Sequence, residues 1–220
     1  MATAIKVKKA KRKKSDQVQE IIFKVVLTGT DPVVTRRLKL SSDMTLDNLS
    51  YAIRGAFEWM GAHGHIFNFG KGRKCSGCDF GDEDDRMEFP APEESADIYL
   101  SEFLNPKHKP FKYEYDFGDS WLLIVSIESV KPMERSIKLP ECIAGENSAP
   151  PEDCGGTPGF ENFKKIMANK RDPEHTSMKD WYGGDFYPQK FDIVEANKMI
   201  HEFLGTAPQK RLREFLSETI

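Results

Sequence analysis

Five acidic residues stand in glycine-containing segments of the chain: Asp116, Asp119, Glu152, Asp153 and Asp185. Carboxylate oxygens bind Mg²⁺ and Mn²⁺, and such ions can cleave phosphodiester bonds. Carboxylates beside glycine also stabilise turns by accepting bonds from backbone N–H groups. The sequence therefore leaves a cation site and a set of turn-forming residues as alternatives. Turn chemistry alone explains these residue types, so no catalytic residue is assigned, and the catalytic candidates stay Asp116, Asp119, Glu152 and Asp153.

The four cysteines offer a second kind of site, with the ligand set Cys75, Cys78, Cys142 and Cys154. The spacing of Cys75 and Cys78 is half of a zinc-binding pattern, which the other two thiols would complete. His63 and His65 are alternative partners for the pair. The competing interpretation is free thiols in a surface loop.

Aromatic residues and histidines supply the candidates for binding: Trp121, Trp181, Tyr182, Asp185, His63 and His65. Polar residues flank Trp181 and Tyr182, which favours a surface role that could include stacking. Alternation along a strand places His63 and His65 on the same side. There they could bind a metal together, transfer a proton as a pair, or serve as polar groups near a sheet edge. Alternation along the strand of residues 111–117 assigns Tyr113 and Tyr115 to the core.

Several enzyme classes leave no signature in the chain. It contains no Gly-x-Ser-x-Gly, no His-Glu-x-x-His, and no phosphate loop ending in Gly-Lys-Ser/Thr. Hydrolase elbows, zincins and P-loop NTPases are therefore unsupported.

The elements that must position these residues follow from hydrophobic periodicity. Residues 20–28 and 33–40 alternate as two strands of a hairpin, and residues 63–69 predict a third strand. Between them Thr45 can cap a helix, whose inward face is Leu46, Leu49, Ile53, Phe57 and Met60.

The run YEYDFGDSW predicts the central hairpin. Its strands cover residues 111–117 and 121–128, and Gly118 supplies a left-handed position in the turn. Before it, residues 70–92 form an excursion, and residues 98–104 form a short helix capped by Asp97.

The second half of the chain begins with irregular sequence. Residues 139–159 hold four prolines and four glycines, which predicts a long ordered loop. Thr157 then caps a helix that buries a set of apolar residues: Phe160, Phe163, Ile166 and Met167. Two further helices are expected, at residues 193–204 with Asp192 as cap and around residues 212–216.

Charge is divided unevenly along the chain. The net charge is −3, yet the segment Lys6–Lys14 holds 7 of the 32 basic residues and residues 1–14 hold no acid. The remainder therefore has 25 basic and 35 acidic residues, a balance of −10. The arm could contact nucleic acid or serve only as a solubilising tail, whereas the acidic body disfavours phosphate contacts. No apolar run reaches the length of a membrane span and no signal peptide is visible, which predicts a cytoplasmic protein.

Three rare motifs together resemble a known family: Tyr115–Trp121, Cys142–Glu146 with Pro150–Gly156, and Trp181–Pro188 with Phe191 and Asp192. They are similar to the family named after the third open reading frame of the Ri plasmid. Arg36 and Arg37 lie near that family's Trp-Arg pair, although Thr35 stands where it usually has Trp, and residues 63–67 lie near its His-x-His-x-Phe. The resemblance implies a single α+β domain, found in plasmid, bacterial and archaeal proteins. Some members are linked to insertion sequences and labelled recombinases, and the label supplies no catalytic residues.

These observations predict an α+β single domain, with a mixed or mainly antiparallel sheet and helices packed on one face. Residues 1–18 are predicted to be a disordered basic arm, residues 19–205 the domain, and residues 206–220 a C-terminal helix. The favoured function is a binding or interaction module, and the alternative is a metal-dependent enzyme acting on nucleic acid. Any function is expected where the Asp116 turn meets the Pro150–Gly156 loop and Trp181.

Overall fold

An antiparallel hairpin begins the part of the chain that the structure describes. The computed structural model describes residues 17–71, 73–76, 93–133 and 140–204. Strand β1 (Gln19–Leu27) pairs with β2 (Thr35–Ser41), close to the predicted bounds. Ile21, Phe23 and Val25 are fully buried on one face, because alternate residues of a strand point to the same side.

Helix α1 (Leu46–Ala56) covers that buried face. Thr45 accepts a hydrogen bond from the backbone N–H of Asn48, whose side chain accepts from the Thr45 N–H, which completes a capping box. The expectation that Met60 continues the inward face is wrong, since its residue is 67% exposed. The helix has ended by then, and Trp59 is buried instead.

Six further strands complete the sheet: β3 (His65–Gly70), β4 (Arg73–Ser76), β5 (Glu93–Glu94), β6 (Phe111–Tyr115), β7 (Trp121–Pro132) and β8 (Glu141–Glu146). Across the described residues their order is β5-β4-β3-β6-β7-β1-β2-β8. Only the pairing of β4 with β5 is parallel among these neighbours. The sheet is therefore mixed and mainly antiparallel, as the sequence predicts.

The hairpin of β6 and β7 lies in the interior of this sheet. Tyr113 and Tyr115 of β6 are fully buried, and so are Leu123 and Val125 of β7, while Trp121 is 1% exposed. The aromatic run thus forms core structure, as its alternation indicates.

Three further helices lie in the second half: α2 (Gly156–Ala168), α3 (His175–Tyr182) and α4 (residues 193–204). Buried residues of α1, α2 and α4 join the same core cluster as the inward face of the sheet. The α+β architecture with helices on one face is confirmed. No described helix combines the length and the apolarity that crossing a membrane requires.

Some predicted elements differ in the structure. The loop predicted at residues 139–159 contains β8, which is tolerated because an edge strand needs only one hydrogen-bonded neighbour. Helix α2 begins after Gly155, and Thr157 lies inside it. In place of the helix predicted at residues 98–104 there is a 3₁₀ helix, Leu100–Phe103. Its N-terminal cap is Tyr99 and not Asp97, which ends an earlier 3₁₀ helix. Lys6–Lys14, Cys78 and residues 206–220 lie outside the described residues.

Candidate functional site

The turn between β6 and β7 is built on Asp116. Its Oδ1 accepts hydrogen bonds from the N–H groups of Gly118 at 2.9 Å and Asp119 at 3.3 Å. The left-handed positions are Asp116, with φ of 57°, and Ser120, with φ of 54°, and not Gly118 as expected. Asp tolerates this region when its side chain bonds the local backbone. The turn interpretation therefore accounts for one oxygen of Asp116.

The turn is fastened to the loop that follows β8. Asp119 Oδ2 accepts a bond from the Gly155 N–H at 3.2 Å. Gly156 has a φ of +65°, and a Cβ there would lie 2.6 Å from the Asp119 carbonyl oxygen. Only glycine permits so close an approach. The two glycines that end the Pro150–Gly156 segment (PPEDCGG) therefore join this loop, called the PPEDCGG loop below, to the turn.

Glu152 connects this loop to two other segments. Its Oε1 accepts a short hydrogen bond from the Tyr115 hydroxyl, and its Oε2 accepts from the Met60 N–H at 2.8 Å. Burial, and then Glu152 itself, raise the pKa of Tyr115, so the phenol remains a donor. Glu152 is thereby engaged on both oxygens.

His63 lies between two carboxylates. Its Nδ1 is 3.7 Å from Asp116 Oδ1, and its Nε2 is 3.2 Å from Asp153 Oδ1. One ligand atom from each of these residues can be chosen so that all three lie within 4.8 Å of one another. Among the described residues, His63, Asp116 and Asp153 are the group of potential metal ligands that lie close together.

A cleft of about 400 Å³ opens beside this group. Three carboxylate residues and three aromatic residues line it, together with four others: Phe57, Glu58, Met60, Ser148, Ala149, Pro151, Glu152, Asp153, Trp181 and Tyr182. No basic side chain is among these lining residues. Trp181 is 51% exposed, and Tyr182 is 39% exposed. The loop of residues 150–156 and Trp181 thus both contribute to the cleft, and the same loop is hydrogen-bonded to the turn through Asp119 and Gly155.

Backbone strain concentrates around the same place. Six described residues other than glycine have positive φ: Glu58, Lys71, Asp116, Ser120, Asn147 and Asp153. Glu58 and Asp153 line the cleft, and Asn147 directly precedes Ser148, which also lines it. Asp116 and Ser120 belong to the adjoining turn between β6 and β7. Such conformations cost about 1–3 kcal/mol each and cluster at functional sites. Their distribution supports the cleft as the place of function.

The remaining binding candidates lie elsewhere. Trp121 is 1% exposed and stacks in the core with its ring 6.2 Å from that of Trp59, so its surface role is not supported. His65 is 4% exposed, and burial, followed by the charge of Arg54, lowers its pKa to about 3. His63 precedes β3, so the strand that was predicted to carry both histidines carries only His65. Asp185 pairs with Lys179 at 2.7 Å.

The cysteines that the structure describes do not form the proposed thiolate cluster. Cys75 on β4 and Cys142 on β8 are six strands apart, roughly 25–30 Å at the usual strand spacing. Burial raises the pKa of Cys142 to about 11 and that of Cys154 to about 12, so both are held as thiols. Cys78 lies outside the described residues, which leaves the pair Cys75–Cys78 as a prediction.

Three contributors to the site escaped the sequence analysis. Glu58 and Met60 follow α1 without any motif, and Tyr115 was assigned only to the core. The sequence marks Glu58 only faintly: it directly follows Phe57, the C-terminal cap residue of α1, at a position where glycine is common.

The fold and the cleft define an α+β domain with an acidic, aromatic-lined cleft at one end of its central hairpin. Comparison with known proteins gives the family. The chain belongs to the plasmid pRiA4b ORF-3-like protein family, whose model matches residues 19–195. This agrees with the resemblance found in the sequence motifs.

Two relatives show how far the likeness extends. The uncharacterized protein y4hQ of Sinorhizobium fredii (strain NBRC 101917 / NGR234) is 26% identical over 193 residues, which cover 87% of this chain and 96% of that protein. The crystal structure of MM3350, a protein of unknown function from Methanosarcina mazei Go1, is similar with a TM-score of 0.69 and 26% identity. The match between the two structures covers 81% of this chain and 98% of the MM3350 chain. The similarity therefore extends over the whole domain.

Proposed function

We propose that this chain is a cytoplasmic binding module whose cleft receives a cationic group, the lysine or arginine side chain of a peptide. The observation that carries the proposal is the lining of the cleft, with three carboxylate residues, three aromatic rings and no basic residue. A cavity of about 400 Å³ is within the usual size of ligand sites and exceeds what one side chain fills, so neighbouring peptide atoms fit as well.

Each part of the lining has a role in holding such a group. The exposed ring of Trp181 offers a face for a cation, which contributes about 0.5–2 kcal/mol. Partial burial raises the pKa of Glu58, with the charge of Arg36 opposing the shift, so an arriving cation would stabilise the charged form of this carboxylate. The side chain of Asp153 is 71% exposed and can attract the ligand from solution.

The alternative function is a metal-dependent enzyme acting on nucleic acid, with a link to mobile elements. The basic arm Lys6–Lys14 favours it, because clustered lysines bind phosphates. An acidic cleft disfavours it, because phosphates would meet Glu58 and Asp153. Asp119 and Glu152 also already accept hydrogen bonds from the protein, which leaves few carboxylate oxygens for a pair of catalytic ions.

The test is a calorimetric titration of the full chain with a capped pentapeptide, Gly-Gly-Lys-Gly-Gly, and with its arginine counterpart. We expect binding of both, and a loss of about threefold to tenfold in affinity on Trp181→Ala or Glu58→Gln. Tryptophan fluorescence should respond as well, because Trp181 is the exposed tryptophan while Trp59 and Trp121 are buried.

Two controls make the result specific. The peptide with glutamate in place of lysine should not bind, and Glu128→Gln, which removes an exposed carboxylate paired with Arg37, should leave the affinity unchanged. Absence of binding, or equal affinity of the wild type and both cleft variants, would overturn the proposal. Binding of single-stranded DNA that Trp181→Ala abolishes would favour the alternative instead.

A further inference from the structure

We propose that His63, Asp116 and Asp153 form a binding site for a divalent transition-metal ion of the Zn²⁺ and Mn²⁺ class. The group brings together one imidazole and two carboxylates, with ligand atoms within 4.8 Å of one another. Its residues come from three segments far apart in the chain, before β3, after β6 and after β8. The convergence is therefore a property of the fold and not of a local sequence motif.

A shared ion requires one ligand atom of each residue to lie close to the other two. Zinc binds imidazole nitrogen and carboxylate oxygen at about 2.0–2.2 Å, which puts neighbouring ligand atoms roughly 3–3.5 Å apart and opposite ones up to about 4.4 Å apart. One ligand atom from each of the three residues can be chosen within 4.8 Å of the others, whereas the two shortest contacts of His63, 3.2 Å from Nε2 to Asp153 and 3.7 Å from Nδ1 to Asp116, use opposite ring nitrogens. An ion takes one ring nitrogen, so Asp153 or the ring must shift slightly, and Asp153 has the room because its side chain is 71% exposed.

The second carboxylate is already fixed in place. Asp116 is 6% exposed, and its Oδ1 is held by the N–H groups of Gly118 and Asp119. The loop that carries Asp153 is joined to the same turn through Asp119 and Gly155. Two of the three ligands therefore lie on segments that the protein fastens together, which lowers the cost of bringing them to one ion.

The donor atoms select the class of ion. One imidazole with two carboxylates gives nitrogen and oxygen ligands without sulfur, which suits Zn²⁺ or Mn²⁺ better than the softer ions that prefer thiolates. Three protein ligands leave further coordination positions open, which solvent or a small ligand would occupy. The site is separate from the cysteine set, because it uses none of its residues.

The first measurement is metal content after equilibrium dialysis of chelator-stripped protein against Zn²⁺ or Mn²⁺, with Mg²⁺ and Ca²⁺ as arms for hard cations. A Cys75→Ser background removes the thiol of β4. We expect one Zn²⁺ or Mn²⁺ per chain in that background. We also expect the Co²⁺ form to show no thiolate-to-cobalt charge-transfer band, because nitrogen and oxygen ligands produce none.

The variants are chosen so that folding does not decide the answer. His63→Ala and Asp153→Asn should each weaken metal affinity by at least about tenfold, and Asn tolerates the left-handed backbone at position 153. His201→Ala, which removes an exposed histidine on α4, is the matched control and should bind as the wild type does. Asp116→Asn is less informative because Asp116 also holds the turn.

Three results would overturn the site. The first is that the Cys75→Ser protein binds no transition metal. The second is that His63→Ala binds the metal with the same affinity as the wild type. The third is a thiolate band in the Co²⁺ form that persists without His63. The first would mean that His63 serves only as a polar contact between the two aspartates. None of these results bears on the cationic-ligand proposal, which is tested at Glu58 and Trp181.

Discussion

Arg36 is a buried cation at the point where α1 and β8 end and β2 begins. It is fully buried, its Nε donates to the Ala56 carbonyl at 2.7 Å, and its Nη1 donates to the carbonyls of Thr35, Glu146 and Asn147. Burial lowers its pKa to about 10, while Cys142 and then Glu58 oppose that shift. Its planar group stacks 4.0 Å from the Phe191 ring centre. The guanidinium therefore fixes the end of α1, which carries the cleft residues, against the end of β8.

We expect Arg36→Lys to lower the free energy of unfolding by about 3 kcal/mol or more, because an ammonium cannot reach these carbonyls together and buried acceptors lose their partners. The neighbouring Arg37 provides the control: its side chain is 49% exposed, so Arg37→Lys should change stability by less than about 0.5 kcal/mol. Urea unfolding of the two variants measures the contrast. Similar midpoints would mean that Arg36 does not join these elements.

Among elements, the end of α1 shows most directly how backbone geometry shapes the site. The N–H of Trp59 bonds to the Arg54 carbonyl and that of Glu58 to Gly55, the pattern that ends a helix with one left-handed residue. Glycine normally occupies that position, yet here it is Glu58, with φ of 59°. The chain thus accepts strain where a carboxylate lines the cleft.

Glu58→Gly should raise the free energy of unfolding by about 1 kcal/mol, since it relieves the left-handed strain and removes a carboxylate that the fold partly desolvates. It should also weaken the binding of the lysine peptide. Glu58→Gln separates the two causes, because it keeps the strained backbone and removes only the charge. The pKa of Glu58 is raised in the folded state above its ordinary value of 4.5, so the ionised carboxylate lowers stability above the folded-state pKa. The stability that Glu58→Gln gains should therefore vanish as the pH falls to 4.5. A Gly variant no more stable than Gln at pH 7 would contradict the strain argument.

Periodicity predicts the elements that bury a complete face, and it fails for the others. β1, β6, β7 and α1 were located from alternation, from the helical apolar face and from the Thr45 cap. Helix α3 has no buried residue, so no periodic pattern marked it, and β8 was hidden among prolines and glycines at the sheet edge. The turn's meeting with the PPEDCGG loop was predicted from motifs. The contact of Glu152 with Met60 depends on tertiary packing across 92 residues and left no local trace.

At the scale of the whole molecule, the cleft and the His63 group share one residue. Asp153 lines the cleft and also stands 3.2 Å from His63 Nε2. A metal ion bound at His63, Asp116 and Asp153 would neutralise this carboxylate and place positive charge beside Glu152. Because both proposed ligands are cations, binding of one must oppose binding of the other, and the effect is reciprocal.

We therefore expect saturating Zn²⁺ to weaken binding of the lysine peptide by about fivefold, a coupling of about 1 kcal/mol. In His63→Ala, which retains Glu58, Asp153 and Trp181, the peptide should bind as tightly with Zn²⁺ as without it, and as tightly as to the metal-free wild type. Calorimetric titrations of both proteins at fixed ionic strength, with Mg²⁺ as the control for screening by a divalent salt, measure the difference. Equal peptide affinity of the zinc-loaded and zinc-free wild type would show that the two sites do not share Asp153, and a zinc effect that persists in His63→Ala would place the ion elsewhere.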